Sequence, residues 1–166
     1  MENLLNALSD CVDRQLNLYR KLLDLFHAER GAILTSDLEE LNRVVMEKEL
    51  VLQHIRTAEL ARRKTADQLA PQLGLDAGTL TLTKLIERID GPYASRMKDK
   101  GKRLQTLIDE IQVVSERNRS LCLQALHFVS GSIKLLSTLT RPNQVYHASG
   151  RIHNTRHLGR MLSGAV

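Results

Sequence analysis

The sequence predicts an all-α protein, an antiparallel bundle of long helices in which a coiled-coil-like hairpin is joined by a long C-terminal helix and a flexible basic tail. Three observations predict it. Apolar residues recur at three- and four-residue steps over stretches of thirty residues and more. Rings are scarce, with no Trp, three Tyr and two Phe, so Leu, Ile, Val and Ala must fill the core, as helix-on-helix packing allows. Runs rich in β-branched and aromatic residues, the mark of strands, are nearly absent. The expected organisation is a helical bundle over 1–139 and a tail over 140–166.

The first helix spans 2–34. Leu5, Leu8, Val12, Tyr19, Leu22, Phe26 and Ile33 form its seam, which Gln15 and Glu29 share. Thr35-Ser36 supplies the break, and Ser36-Asp37-Leu38-Glu39 reads as a capping box with Ser36 as N-cap and Glu39 reaching back. The second helix places Leu38, Leu41, Val45, Leu52, Ile55, Ala66 and Leu69 on one face and ends near residue 70, at Pro71 and Gly74. So short a connection favours an antiparallel hairpin. Residues 71–81 read as loop, and Thr81 or Thr83 caps a short helix through about Ile89. Gly91-Pro92 then ends one helix and starts the next, which runs to about Leu139 before Arg141-Pro142-Asn143 stops it. Its seam carries Leu104, Leu107, Ile108, Ile111, Val114, Leu121, Ala125, Val129, Leu136 and Leu139, with Ser115, Asn118, Cys122 and Ser132 making its middle small and polar. Lys48 and Asn118 fall on apolar seams, where a polar residue fixes helix register.

The formal charge of +5 is unevenly placed. The last acidic residue is Glu116; beyond it stand Arg117, Arg119, Lys134, Arg141, Arg151, Arg156 and Arg160. The first 116 residues hold 17 basic against 19 acidic side chains, a net of −2, so the basic character belongs to an interacting end rather than to the whole chain. Cys11 and Cys122 are isolated, as in a reducing compartment. No basic n-region opens the chain, and no apolar run approaches the length of a membrane span. The expected location is cytoplasmic.

No catalytic constellation stands out: there is no Gly-rich phosphate loop, HExxH pair, GxSxG elbow or paired-Cys motif, so the chain is read as a non-enzyme without a cofactor. His153 and His157, with His147 upstream, have helical spacing for a metal but no carboxylate or thiolate nearby, and no metal site is expected. Arg151, Arg156 and Arg160 leave a nucleic-acid-binding tail as a rival reading, with the rest of the chain a generic helical adaptor or coiled-coil scaffold.

The long N-terminal helix, then Asp37-Leu38-Glu39-Glu40-Leu41, then Glu47-Lys48-Glu49 followed by Leu52, resembles the flagellar export chaperone family called FlgN. So do Asn118-x-x-Leu121 in the last helix and Tyr146-x-x-x-Gly150 after it; the resemblance covers roughly residues 2–150. It implies a cytoplasmic chaperone of type III flagellar export that holds the C-terminal helical segment of hook–filament junction proteins and delivers them to the export gate. It also implies that the C-terminal part carries most of the client binding and that an aromatic there, matched by Tyr146, docks at the gate. The residues themselves are compatible. A client helix needs apolar anchors at helical spacing, and 118–139 offers Asn118, Leu121, Cys122, Ala125, Phe128, Leu135 and Leu136, small residues mixed with large ones. The same face could instead pack against the hairpin.

Overall fold

The computed structural model describes residues 1–76, 78, 81–89 and 91–139, and 93 % of these are helical. Four α-helices follow one another: α1 (Glu2–Thr35), α2 (Leu38–Leu69), α3 (Leu82–Arg88) and α4 (Pro92–Leu139), with a 3-10 turn at Ala70–Leu73. By its contacts the chain divides into two units, Met1–Cys122 and Leu123–Val166, and this division falls inside α4. Each unit is described by itself.

The α1–α2 connection shows why the hairpin turns where it does. Ser36 takes left-handed angles (φ 56°), and the amides of Ser36 and Asp37 reach back to the carbonyls of Ile33 and Ala32, closing the end of α1. An N-cap needs extended angles, so Ser36 cannot also start α2. Asp37 (φ −84°, ψ 96°) does so, its carboxylate accepting from the Glu40 amide at 3.0 Å. The N-cap expected at Ser36 therefore lies one residue on, at Asp37, and the Glu40 carboxylate pairs with Arg43. Farther on, Thr81 caps α3 by accepting from the Lys84 amide, and Gly91, at φ 85°, turns the chain into Pro92 at the start of α4.

In the first unit α1 and α2 run antiparallel, as the pairing of Glu29 with Lys48 near the tip shows. α4 runs parallel to α1: Tyr93 Oη donates to Asn6 Oδ1 (2.6 Å), Lys100 Nζ to Ser9 Oγ and Asp13 Oδ2 (both 2.6 Å), and Asn118 Nδ2 to the Phe26 carbonyl. Two cores result. One gathers Leu5, Leu8, Val12 and Leu16 of α1 with Ala66, Leu69, Leu85 and Met97; the other gathers Leu22 and Leu25 with Val44, Val51 and Ile55. Leu69 and Leu85 are completely buried, so the short α3 serves as a plug for the first core.

The seam of α1 lies where the spacing put it, with Leu5, Leu8, Val12, Gln15 and Leu22 all buried. The seam of α2 does so only in its second half, where Ile55, Ala66 and Leu69 are buried as expected. Val44, Val51, Ile55 and Ala58 point inward, whereas Leu38, Val45 and Leu52, expected on the buried face, are exposed. Val44–Val45 and Val51–Leu52 are adjacent apolar pairs, so two heptad stripes coexist one residue apart. Periodicity cannot choose between them; the neighbouring helix does.

Candidate functional site

In the second unit the described residues are the last turns of α4, Leu123–Leu139, and their apolar side chains are uncovered. Phe128 is 76 % exposed, and Leu126, Val129, Ile133, Leu135, Leu136 and Leu139 are all more than half exposed. At 3.6 residues per turn these side chains, with Ala125 and Ser132, occupy about half the circumference of the helix, while Gln124, His127, Ser130, Lys134 and Thr138 occupy the other half. Ser132 fits the apolar half because its Oγ donates back to the Phe128 carbonyl at 3.0 Å. Thr138 Oγ1 likewise donates to the Lys134 carbonyl at 2.6 Å. An apolar half-cylinder carrying no charged side chain is what an amphipathic partner helix can cover.

The site residues expected from sequence separate into two groups. Ala125, Phe128, Leu135 and Leu136 share this exposed face. Cys122 is exposed and Leu121 half-buried at the end of the first unit. Asn118 instead faces inward, 3 % exposed, and Tyr146 lies outside the described residues, as do His147, His153 and His157. Sequence reasoning passed over Leu126 and Ile133, whose seven-residue spacing was the available signal.

Asn118 belongs to a polar cluster inside the first unit. Its Nδ2 donates to the Phe26 carbonyl (2.8 Å) and to Glu29 Oε2 (3.0 Å), while Glu29 Oε1 receives Lys48 Nζ at 2.6 Å. The Lys48 ammonium also lies 4.1 Å from the centre of the Phe26 ring, a cation–π contact. One residue from each of α1, α2 and α4 thus meets at one carboxylate, as the register reading of Lys48 and Asn118 anticipated. Their common partner, Glu29, was legible only as a seam residue.

A cleft of about 380 Å³ lies elsewhere in this unit, among Val12, Gln15, Tyr19, Arg62, Ala66 and Leu104. Burial and the nearby Glu59 carboxylate raise the Tyr19 phenol above its ordinary pKa, partly offset by Arg62. Among the described residues no three His, Cys, Asp or Glu side chains gather as a metal site would require.

One family comparison bears on this chain. Residues 1–154 match the family model described as FlgN protein. The chain belongs to the FlgN family. Neither a curated protein nor a solved structure matches it. FlgN is a chaperone family rather than an enzyme family, and membership gives the chain a flagellar export chaperone role. The FlgN match takes in all four helices and continues past Tyr146 to Asn154. Among the described residues no helix is long and apolar enough to cross a membrane.

Proposed function

We propose that this chain binds the C-terminal helical segment of a flagellar hook–filament junction protein along the exposed apolar face of α4. By covering the client's own apolar stripe it prevents premature assembly, and it then delivers the client to the type III export gate from the cytoplasm. Ala125, Phe128, Leu135 and Leu136 are the client anchors, with Leu121 and Cys122 preceding them on the same helix. Tyr146 is the gate-docking residue. The observation that carries the reading is the exposed apolar half of Leu123–Leu139, in a chain that belongs to a chaperone family.

The test uses a peptide from the C-terminal segment of a junction protein. Phe128→Ala should weaken its binding by about 2 kcal/mol, the scale of an interface hot spot. The melting temperature should stay nearly unchanged, because the Phe128 side chain is 76 % exposed. Tyr146→Ala should leave both quantities alone while impairing capture by the gate. Wild-type affinity in the Phe128→Ala protein would reject this face as the client site.

A further inference from the structure

We propose that the cleft of the first unit is a binding site for an apolar acylamino carboxylate, the chemistry shared by an N-acylated amino acid and the last residue of a polypeptide. The cleft lies wholly within Met1–Cys122, among residues of α1, α2, α3 and α4, and shares no residue with the face assigned above to the client. Its volume of about 380 Å³ equals that of roughly a dozen water molecules, which suits a ligand of about a dozen non-hydrogen atoms.

Three features of the lining set the chemistry. Val12, Ala66, Leu104 and Ile108 make an apolar wall, which takes an aliphatic side chain. Gln15 is only 4 % exposed, and its Oε1 is buried with no hydrogen-bond partner among the described residues. An unmatched buried amide oxygen destabilises a fold, so its presence here calls for a donor, which an amide N–H of the ligand supplies. One turn along α1, on the same side of the helix, stands Tyr19. Burial and the Glu59 carboxylate raise its phenol above the ordinary pKa against the opposing Arg62, so the hydroxyl keeps its proton and can donate. Arg62 of α2 is half-buried and forms no ion pair among the described residues. The lining holds two carboxylates, but Asp67 is already taken by the Gly78 amide at 2.7 Å and Glu59 is exposed to water. A phenol donor and an unpaired guanidinium together suit a carboxylate of the ligand. An amide, an aliphatic group and a carboxylate thus each have a place, and an aliphatic acylamino acid carries all three.

The test is calorimetric titration of the full chain with N-acetylleucine and with acetyl-Gly-Gly-Leu, each beside its C-terminal amide. N-acetylleucine should bind with a dissociation constant of about 1 mM or tighter, on the scale expected for a ligand of this size. Its C-terminal amide should bind at least about tenfold more weakly, because it lacks the charge that Arg62 pairs with. Arg62→Gln should abolish that preference for the carboxylate. Gln15→Met replaces the amide with an apolar chain of similar length. It should weaken binding about tenfold yet raise the Tm of the free chain, since no unmatched oxygen remains. A lowered Tm in a folded Gln15→Met protein shows the amide already bonded in the free chain and overturns the proposal. So does a wild type that binds neither compound, or that binds carboxylate and amide alike. Circular dichroism identifies a variant that has merely unfolded, and Arg62→Gln carries the test if Gln15→Met does not fold. The longer peptide names the source of the ligand. Binding as tight as that of N-acetylleucine assigns the site to a chain end, and exclusion of the peptide assigns it to a free acylamino acid.

Discussion

Replacing Glu29 with Ala should be among the costliest single changes in the first unit. Its carboxylate holds Lys48 and Asn118 together at 2.6 and 3.0 Å, and the Lys48 and Glu29 side chains are only 15 % and 13 % exposed. Breaking a buried pair from one side costs roughly 3–5 kcal/mol, because the remaining charge stays desolvated. Two contacts survive the change: Lys48 keeps the Phe26 ring, and Asn118 keeps the Phe26 carbonyl. The lower end, about 3 kcal/mol, is therefore expected. Replacing Glu29 and Lys48 together with Leu removes both charges and should cost no more than about 1 kcal/mol, since apolar replacements of buried pairs are often neutral. Urea unfolding measures both, and with an unchanged slope the midpoint shift reports stability alone. A Glu29→Ala loss under about 0.5 kcal/mol would place the pair with ordinary surface salt bridges and refute the clasp.

Three further outcomes are expected. Leu85→Ala should cost about 2–5 kcal/mol, because it empties a completely buried site in the core that α3 closes; calorimetry reads this as a lowered Tm. Ser36→Gly should stabilise by about 0.5–1 kcal/mol in the same assay, since left-handed angles burden a residue with a Cβ. The raised phenol of Tyr19 binds its proton more tightly in the folded chain than in the unfolded one. Its contribution is therefore complete below the ordinary tyrosine pKa and is lost as pH rises through the higher folded value. Tyr19→Phe should flatten the alkaline limb of a stability–pH curve, and an unchanged limb would show that another group controls it.

Local chemistry made most of the fold legible. Thr81, Gly91 and Pro92 act where their backbone preferences place them, and the α1 seam follows from one unambiguous apolar stripe. The N-cap of α2 was missed by one residue because Ser36 and Asp37 are both good caps. The choice fell to Asp37 only when the end of α1 required Ser36 in a left-handed turn. The buried stripe in the first half of α2 was beyond sequence for a related reason, since Val44 and Val45, or Val51 and Leu52, are equally apolar, whereas Ile55, Ala66 and Leu69 are buried as their spacing indicates.

What the sequence by itself determined is the helical class, the helix ends other than the start of α2, the amphipathic character of Leu123–Leu139 and the resemblance that the family match bears out. The tertiary structure decided which of two apolar stripes on α2 is core and that Glu29 joins Lys48 to Asn118. It also decided that the last apolar face of α4 is uncovered while Asn118 is not. Periodicity records which side of a helix avoids water, a local property of spacing. Whether anything covers that side depends on where other helices end, which residues far apart in the chain settle together.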